Sequence, residues 1–162
     1  MKLLKTIGYT LGLSILFIAS GCVKANFYQK NIAIQNGVWN SNQTGKFQVD
    51  ITDTTAKYNI YFMIRHDESY PFNNIWIRSR YQAPGDTTFV TGERIDLLMS
   101  DVDGKWLGRN FGGMWEHRML LINNANPIFK KAGTYNIEIE QLMRQEDLEG
   151  IMNIALQIEK VE

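Results

Sequence analysis

The sequence predicts an all-β protein, an antiparallel β-sandwich of about seven to eight strands, and three observations support that prediction. Apolar and polar residues alternate with a period of two in several segments, which is typical of strands with one buried and one exposed face. Turn-forming residues separate those segments. The sequence lacks the repeated succession of strand and helix patterns that would indicate a parallel sheet. The 162 residues, of which 44% are hydrophobic and 21% charged, suit a single domain with its own core.

The strand pattern occurs in seven segments along the chain. They are 46–51, 57–65, 75–81, 88–99, 117–123, 134–143 and 153–161. In the first segment, Phe47, Val49 and Ile51 alternate with polar residues and are predicted to face the core. Turn sequences such as Pro84-Gly85-Asp86 connect the segments. Helical periodicity is weak, and the best candidate for it is a short turn at Gln145–Leu148.

Charge, cysteine count and missing motifs exclude several classes of protein. The 17 basic and 17 acidic residues cancel, whereas nucleic-acid binding needs a clustered basic surface, so we predict no nucleic-acid partner. One cysteine allows neither an internal disulfide bond nor a multi-cysteine metal site. Phosphate-binding glycine motifs, His-Glu-x-x-His and Gly-x-Ser-x-Gly do not occur. We therefore predict no metal, no cofactor and no catalytic residues, and a protein that is not an enzyme.

The N-terminus has the features of a secretory signal. Lys2 and Lys5 precede the mostly apolar stretch 7–18, and small residues then lead directly to the single cysteine, Cys22. This arrangement resembles the lipobox of bacterial lipoproteins, whose cysteine is diacylated and becomes the new N-terminus. The alternatives are an ordinary cleaved signal with a coincidental cysteine, or a weak N-terminal anchor helix.

The lipobox divides the chain into three predicted parts. Residues 1–21 are a signal peptide that is removed, residues 22–30 are a lipidated tether, and residues 31–162 form the sandwich. Several acyl chains on Cys22 hold a protein on a bilayer essentially permanently. The next residue is Val23 rather than Asp, which by the usual bacterial sorting pattern predicts the outer membrane. No acidic run that would indicate surface export follows, so we expect the periplasmic face.

The segment 101–116 has the most unusual composition in the chain. It combines four glycines with the aromatic residues Trp106, Phe111 and Trp115. Such a loop can present rigid aromatic side chains to a protein partner or a sugar. The alternative is that the aromatic residues fold back and close an open end of the sandwich. The start, Asp101–Lys105, superficially resembles a calcium loop, but Lys105 stands where a ligand is needed, so a turn is the better interpretation.

A second candidate contact surface lies on the strand predicted at 75–81. Trp76, Arg78 and Arg80 share its outward face, and Trp and Arg are enriched in interaction hot spots. The alternative is an arginine stacked locally on the tryptophan, or a neighbouring segment that covers it.

The histidines and a pair of glutamates are the remaining residues with possible chemistry. His66 continues the inward register of its strand and is predicted to be a structural histidine at the strand end. His117 lies at a strand entrance between charged residues, again as a structural or surface residue. Glu138 and Glu140 share one strand face and could in principle do acid–base work. Their alternation with isoleucines is explained more simply by a solvated sheet face.

Four features occur together, in order, in one known family. They are Cys22, the segment Tyr70–Ile75, Asp86-Thr87 and the run Gly104–Gly108. Together they resemble the GldH-type gliding-motility lipoproteins of Bacteroidetes over nearly the whole chain, and the Gly-Lys-Trp-Leu-Gly run is the most specific piece. In that family further glycines and typically a Gly-Asp pair follow the run. Here residues 109–114 read Arg-Asn-Phe-Gly-Gly-Met, without the acidic residue.

The resemblance implies an outer-membrane lipoprotein of the gliding machinery, which is tied to type IX secretion, and it implies no catalytic residues. The leading hypothesis is therefore an anchored accessory lipoprotein that contacts other gliding or secretion proteins through the 104–115 loop and the Trp76 face. The alternative is a periplasmic carbohydrate-binding lipoprotein that stacks sugars on exposed tryptophans. A hydrolase that uses Glu138 and Glu140, or His66, is the third hypothesis.

Overall fold

The computed structural model describes residues 27–123 and 128–161, with only the backbone of Phe27. Within this part the chain forms eleven strands, one three-residue 3-10 helix at Gln35–Gly37 and no α-helix. The strands are β1 Phe27–Ala33, β2 Val38–Asn40, β3 Gly45–Ile51, β4 Lys57–Asp67, β5 Asn74–Gln82, β6 Val90–Leu98, β7 Arg109–Asn110, β8 Met114–Ile122, β9 Gly133–Gln141, β10 Asp147–Glu149 and β11 Ile151–Val161. None of the described residues belongs to a helix long and apolar enough to cross a bilayer.

The strands form two large antiparallel sheets that enclose the core, and the predicted all-β sandwich is confirmed. One sheet has the strand order β1-β11-β4-β8-β7, and the other has the order β3-β9-β5-β6. A two-stranded ribbon of β2 and β10 completes the fold. All the pairings between these strands are antiparallel.

The predicted alternation places the core residues correctly. In β3 every second residue is buried, and Phe47, Val49 and Ile51 are at most 4% exposed. The central strands β4 and β11 supply buried side chains from the opposite sheet, including Phe62 and Leu156. The apolar faces of the two sheets pack against each other because this contact removes the apolar surface of both from water, which is favourable.

Two predictions need correction. The helical turn expected at Gln145–Leu148 is absent, because β10 pairs with β2 across this region, with Leu148 opposite Trp39. Residues 27–30, assigned to the tether, belong to β1, which pairs with β11 along its whole length. Lys30 lies opposite Leu156 and interrupts the alternation, so the sequence pattern alone does not indicate this edge strand. Cys22, the predicted signal peptide and the rest of the predicted tether lie outside the described residues.

The strand registers place the start of β1 and the segment 101–116 at opposite ends of the sandwich. Phe27, where β1 begins, pairs with Glu159, which in turn pairs with Asn59 at the start of β4. We call this the near end. β4 finishes at the other, far end, where His66 pairs with Trp115 at the start of β8. The eleven residues of β4 separate the two ends by roughly 35 Å.

Candidate functional site at the far end

A strap formed by residues 99–113 crosses the far end. The strap starts with a hairpin in which Ser100 and Trp106 form a β-bridge and the Leu107 N–H donates to the Met99 carbonyl at 2.8 Å. The Asp101 carboxylate accepts the N–H groups of Asp103 at 3.0 Å and Lys105 at 2.8 Å. The Asp101–Lys105 segment is therefore a tight turn whose own amides engage its first carboxylate. No group of three or more potential metal ligands occurs among residues 27–123 and 128–161.

Beneath the strap, two histidines from neighbouring strands form a buried pair. The Nε2 atoms of His66 and His117 are 3.0 Å apart, and the two side chains belong to residues that are 0% and 3% exposed. His66 Nδ1 lies 2.8 Å from the Asp67 carbonyl oxygen, so this nitrogen carries the proton and donates. In the neutral pair His66 Nε2 then accepts a hydrogen bond from the Nε2–H of His117. Each ring holds the other in one tautomer.

Aromatic side chains enclose the histidine pair on several sides. The ring of Trp106 lies edge-on to His66 at 4.4 Å between centroids, and Trp115 stacks on the same histidine at 5.8 Å. Tyr70 contacts His66 at 5.3 Å, and its hydroxyl donates to the Asn74 carbonyl oxygen at 2.8 Å. The prediction that His66 continues the inward register of its strand is thus confirmed by its burial.

Burial of the pair keeps both imidazoles neutral. Desolvation lowers the pKa of His66 below its usual value of 6.5, partly opposed by the hydrogen bond and the charge of Asp67. Desolvation together with the proximity of His66 lowers the pKa of His117 to about 4. Burial also raises the pKa of the Tyr70 hydroxyl. The pair is accordingly a neutral, hydrogen-bonded part of the core rather than an imidazole open to a substrate.

Gly108 connects the strap to the histidine pair, and this contact leads to a first prediction. A Cβ atom at this position would lie 2.7 Å from His117 Nε2 and 2.8 Å from the Glu116 carbonyl oxygen. We expect Gly108→Ala to lower the free energy of unfolding by about 1–3 kcal/mol, because neither the buried ring nor the backbone can give way freely. Urea denaturation measures this, with Leu107→Ala as the control, since that side chain is 56% exposed. An unchanged midpoint of urea denaturation would contradict the prediction, since it would show that the strap can move away from His117 with no loss of stability.

The three aromatic residues singled out in this loop do not share one environment. Trp106 and Trp115 pack against each other and against the histidine pair, with their centroids 6.0 Å apart. Phe111 is 41% exposed and lies beneath the guanidinium groups of Arg109, at 4.5 Å, and Arg65, at 5.8 Å. The loop thus presents Phe111 outward while its tryptophans close the end of the sandwich.

The Trp76 face of the second sheet, formed by Trp76, Arg78 and Arg80, contains ion pairs between neighbouring strands. The Nε–H groups of Arg78 and Arg80 donate to Glu140 and Glu138, each at 2.7 Å. The glutamates are directly opposite these arginines in the β5–β9 register. Each of these carboxylates is therefore neutralised by an arginine on the neighbouring strand.

Trp76 itself is covered by an arginine that the sequence did not single out. The guanidinium of Arg94, from β6, lies 3.8 Å above the Trp76 ring. An arginine stacked locally on Trp76 was one of the alternatives, but its identity depends on the pairing of β5 with β6. Trp39 is fully buried in the core. Neither tryptophan thus offers the open aromatic platform on which a sugar would stack.

These features define a β-sandwich domain whose far end is closed by an aromatic strap over a buried histidine pair. The family described as GldH lipoprotein matches residues 26–158, and the chain belongs to that family. It is 26% identical over 152 residues to the gliding motility lipoprotein GldH homolog of Christiangramia forsetii, covering 90% of each chain. It is 26% identical over 164 residues to the gliding motility lipoprotein GldH of Flavobacterium johnsoniae, covering 97% of this chain and 98% of the relative.

Among solved structures, one similar chain is a carbohydrate-binding module specific for non-crystalline cellulose, CBM28. The match has a TM-score of 0.47 and 6% sequence identity, and it covers 83% of this chain and 73% of the module. A similarity this distant carries no argument about function.

Proposed function

We propose that this chain is an outer-membrane accessory lipoprotein of the gliding motility machinery, linked to type IX secretion. It is held by acyl chains on Cys22, faces the periplasm and acts through protein–protein contacts rather than catalysis. Membership of the GldH lipoprotein family supports its role as a gliding motility lipoprotein. In this proposal the signal peptide spans 1–21, and the tether is shorter than expected because the sheet already includes Phe27.

The proposal that the domain acts through protein–protein contacts rests on the separation of its near end from its far end. Five residue steps join Cys22 to Phe27, which span at most about 18 Å, so a lipid on Cys22 keeps the near end close to the bilayer. The far end, with the strap and Trp76, then projects about 35 Å further into the aqueous space. A surface placed there can reach proteins that do not lie on the membrane.

The environments of the candidate acid–base residues support a non-catalytic role. The His66–His117 pair is buried and uses its facing nitrogens on itself. Glu138 and Glu140 are each held by an arginine. These groups therefore lack the open, poised geometry that general acid–base catalysis needs. The covering of Trp76 by Arg94 likewise disfavours the carbohydrate-binding alternative.

A deletion strain complemented with wild-type or Cys22→Ala protein tests the proposal. We expect deletion to abolish colony spreading and to impair export of a type IX cargo protein, and we expect wild type but not Cys22→Ala to restore both. Without the acyl chains nothing retains the domain at the outer membrane. Membrane fractionation should show wild type in the outer membrane and the variant absent from it.

Matched protein levels of the two complementing chains are the control, and immunoblotting measures them. Normal spreading and export in the deletion strain would overturn the proposed role. Full restoration by the Cys22→Ala protein, which carries no acyl chains, would overturn the need for the lipid anchor.

A further inference from the structure

A cleft of about 360 Å³ opens at the far end of the second sheet, beside the strap. Its apolar wall comes from Phe72, Trp76 and Met143, and two arginines, Arg94 and Arg144, line its rim. Both arginines are exposed. From this arrangement we propose that the cleft binds an acidic segment of a partner protein, with an apolar side chain in the cleft and carboxylates on the two arginines. The proposal deepens the proposed function and rests on its protein–protein mode of action.

The charges of the cleft are distinctive within this chain. The sequence contains seven arginines, and five of them, Arg65, Arg78, Arg80, Arg109 and Arg118, form ion pairs with glutamates. In the part of the chain that the structure describes, the other two have no carboxylate partner. Those two are Arg94 and Arg144, and both line this cleft. Two guanidinium groups left without carboxylates at the same place are complementary to an anionic ligand.

The cleft is held rigid by hydrogen bonds from its floor. The Trp76 N–H points to the Met143 sulfur at 3.2 Å, and the Leu142 N–H donates to the Trp76 carbonyl oxygen at 2.7 Å. The side chain of Gln141, which is 2% exposed, accepts the Met143 N–H at 2.8 Å. Its amide nitrogen donates to the carbonyl oxygens of the two residues that follow Arg144, at 3.2 and 3.0 Å. Arg144 is therefore presented by a preorganised loop, which lowers the entropic cost of binding.

The same geometry favours a peptide over a sugar or a membrane. The Trp76 ring face that a sugar would stack on carries Arg94 at 3.8 Å. The cation–π contact instead orients the guanidinium, whose N–H groups stay available to carboxylates. Met143 can adapt to side chains of different shape, as methionine does at peptide-binding surfaces. An anionic lipid surface is disfavoured as the ligand. The cleft lies at the far end of the sandwich, whereas β1, which follows the proposed lipid anchor, begins at the near end.

Selection from a displayed library of random twelve-residue peptides tests the proposal. The bait is the full chain, purified in detergent and immobilised through a C-terminal tag. We expect the selected peptides to combine acidic residues with an adjacent apolar residue. We expect their affinity for Arg94→Glu/Arg144→Glu to fall at least about tenfold, because two charge-assisted contacts become repulsive. Fluorescence anisotropy of the labelled peptides measures the affinities.

The matched control is Lys57→Glu/Lys130→Glu, which makes the same change in net charge at exposed lysines outside the cleft. Its peptide affinities should stay within about twofold of wild type, since screening weakens charge effects over such distances. Arg144→Glu alone, which leaves the contact of Arg94 with Trp76 intact, replaces the double variant if the latter fails to fold. Polygalacturonate and phosphatidylglycerol vesicles serve as competing anionic probes.

Three outcomes would overturn the proposal. They are selected peptides without acidic enrichment, equal affinity for the cleft and control variants, or arginine-dependent binding of the polysaccharide or the vesicles but not of peptides. The assay uses no motility readout. A failure here alongside a non-gliding deletion strain would therefore reject only the cleft, whereas peptide binding alongside a normally gliding deletion strain would reject only the proposed pathway.

Discussion

Acidification from pH 8 to pH 4 is expected to destabilise the domain on the order of 3 kcal/mol through the buried histidine pair. In the unfolded chain His117 takes up a proton near pH 6.5, whereas in the folded chain burial and the neighbouring His66 hold its pKa at about 4. Below pH 6.5 the unfolded state therefore binds more protons, so stability is full above that pH and is lost as the pH falls to 4. The lowered pKa of His66 acts in the same direction.

Urea denaturation at several pH values between 8 and 4 measures this effect. The carboxyl groups of Asp53 and Asp67, whose pKa values are lowered by hydrogen bonds, titrate below this window and contribute little to it. The double variant His66→Phe/His117→Leu should show a much flatter pH dependence between 6.5 and 4. Direct titration of the wild-type imidazoles by NMR gives an independent check. Imidazoles that titrate near 6.5 in the folded protein would contradict the prediction.

Trp106→Ala is expected to lower stability much more than Phe111→Ala, although the two residues are only five positions apart. Trp106 packs on His66, Tyr70 and the rest of the aromatic cluster, so its truncation should cost about 2–3 kcal/mol of unfolding free energy. Phe111 is 41% exposed, and among the described residues its ring interacts with the guanidinium groups of Arg65 and Arg109, so its truncation should cost less than about 1 kcal/mol. Thermal denaturation of the two variants measures the difference.

This pair of variants also distinguishes residues that stabilise the strap from residues that contact a partner protein. We expect Phe111→Ala to reduce colony spreading with a much smaller decrease in melting temperature than Trp106→Ala shows, as the loss of a partner contact predicts. Any loss of spreading in Trp106→Ala will be accompanied by a lower melting temperature and so carries less information about the partner. Normal spreading in both Phe111→Ala and Leu107→Ala, at wild-type protein levels, would remove the outer surface of the strap from the contact role.

The strands were predictable to the extent that their side chains alternate. The pattern located β3 to β6, β8, β9 and β11 within a few residues, because apolar and polar residues alternate in each of these segments. The short strands β2, β7 and β10 have two or three residues each, too few for a period to be recognised. Their existence depends on the partner strand that each one meets.

The sites were less predictable because they are made across strands. His66 and His117 are 51 residues apart, and they meet because β4 and β8 pair in a register that sets Ile64 opposite His117. Arg78 and Arg94 are likewise directly opposite each other in the β5–β6 register, so Arg94 comes within reach of Trp76. A sequence pattern reports the face on which a side chain lies but not which residue of another strand stands beside it.

The amino-acid sequence by itself determined the all-β class, the inward faces of the main strands and, through the run Gly104–Gly108, the resemblance to the family. These properties are local, since alternation and turn chemistry act over a few residues. Only the tertiary structure decided that Trp106 closes the far end, that Phe111 faces outward and that two arginines at one cleft have no carboxylate partner among residues 27–123 and 128–161. The reason is that strand register and the path of the strap bring together residues far apart in the chain, and they do so to bury one cooperative core.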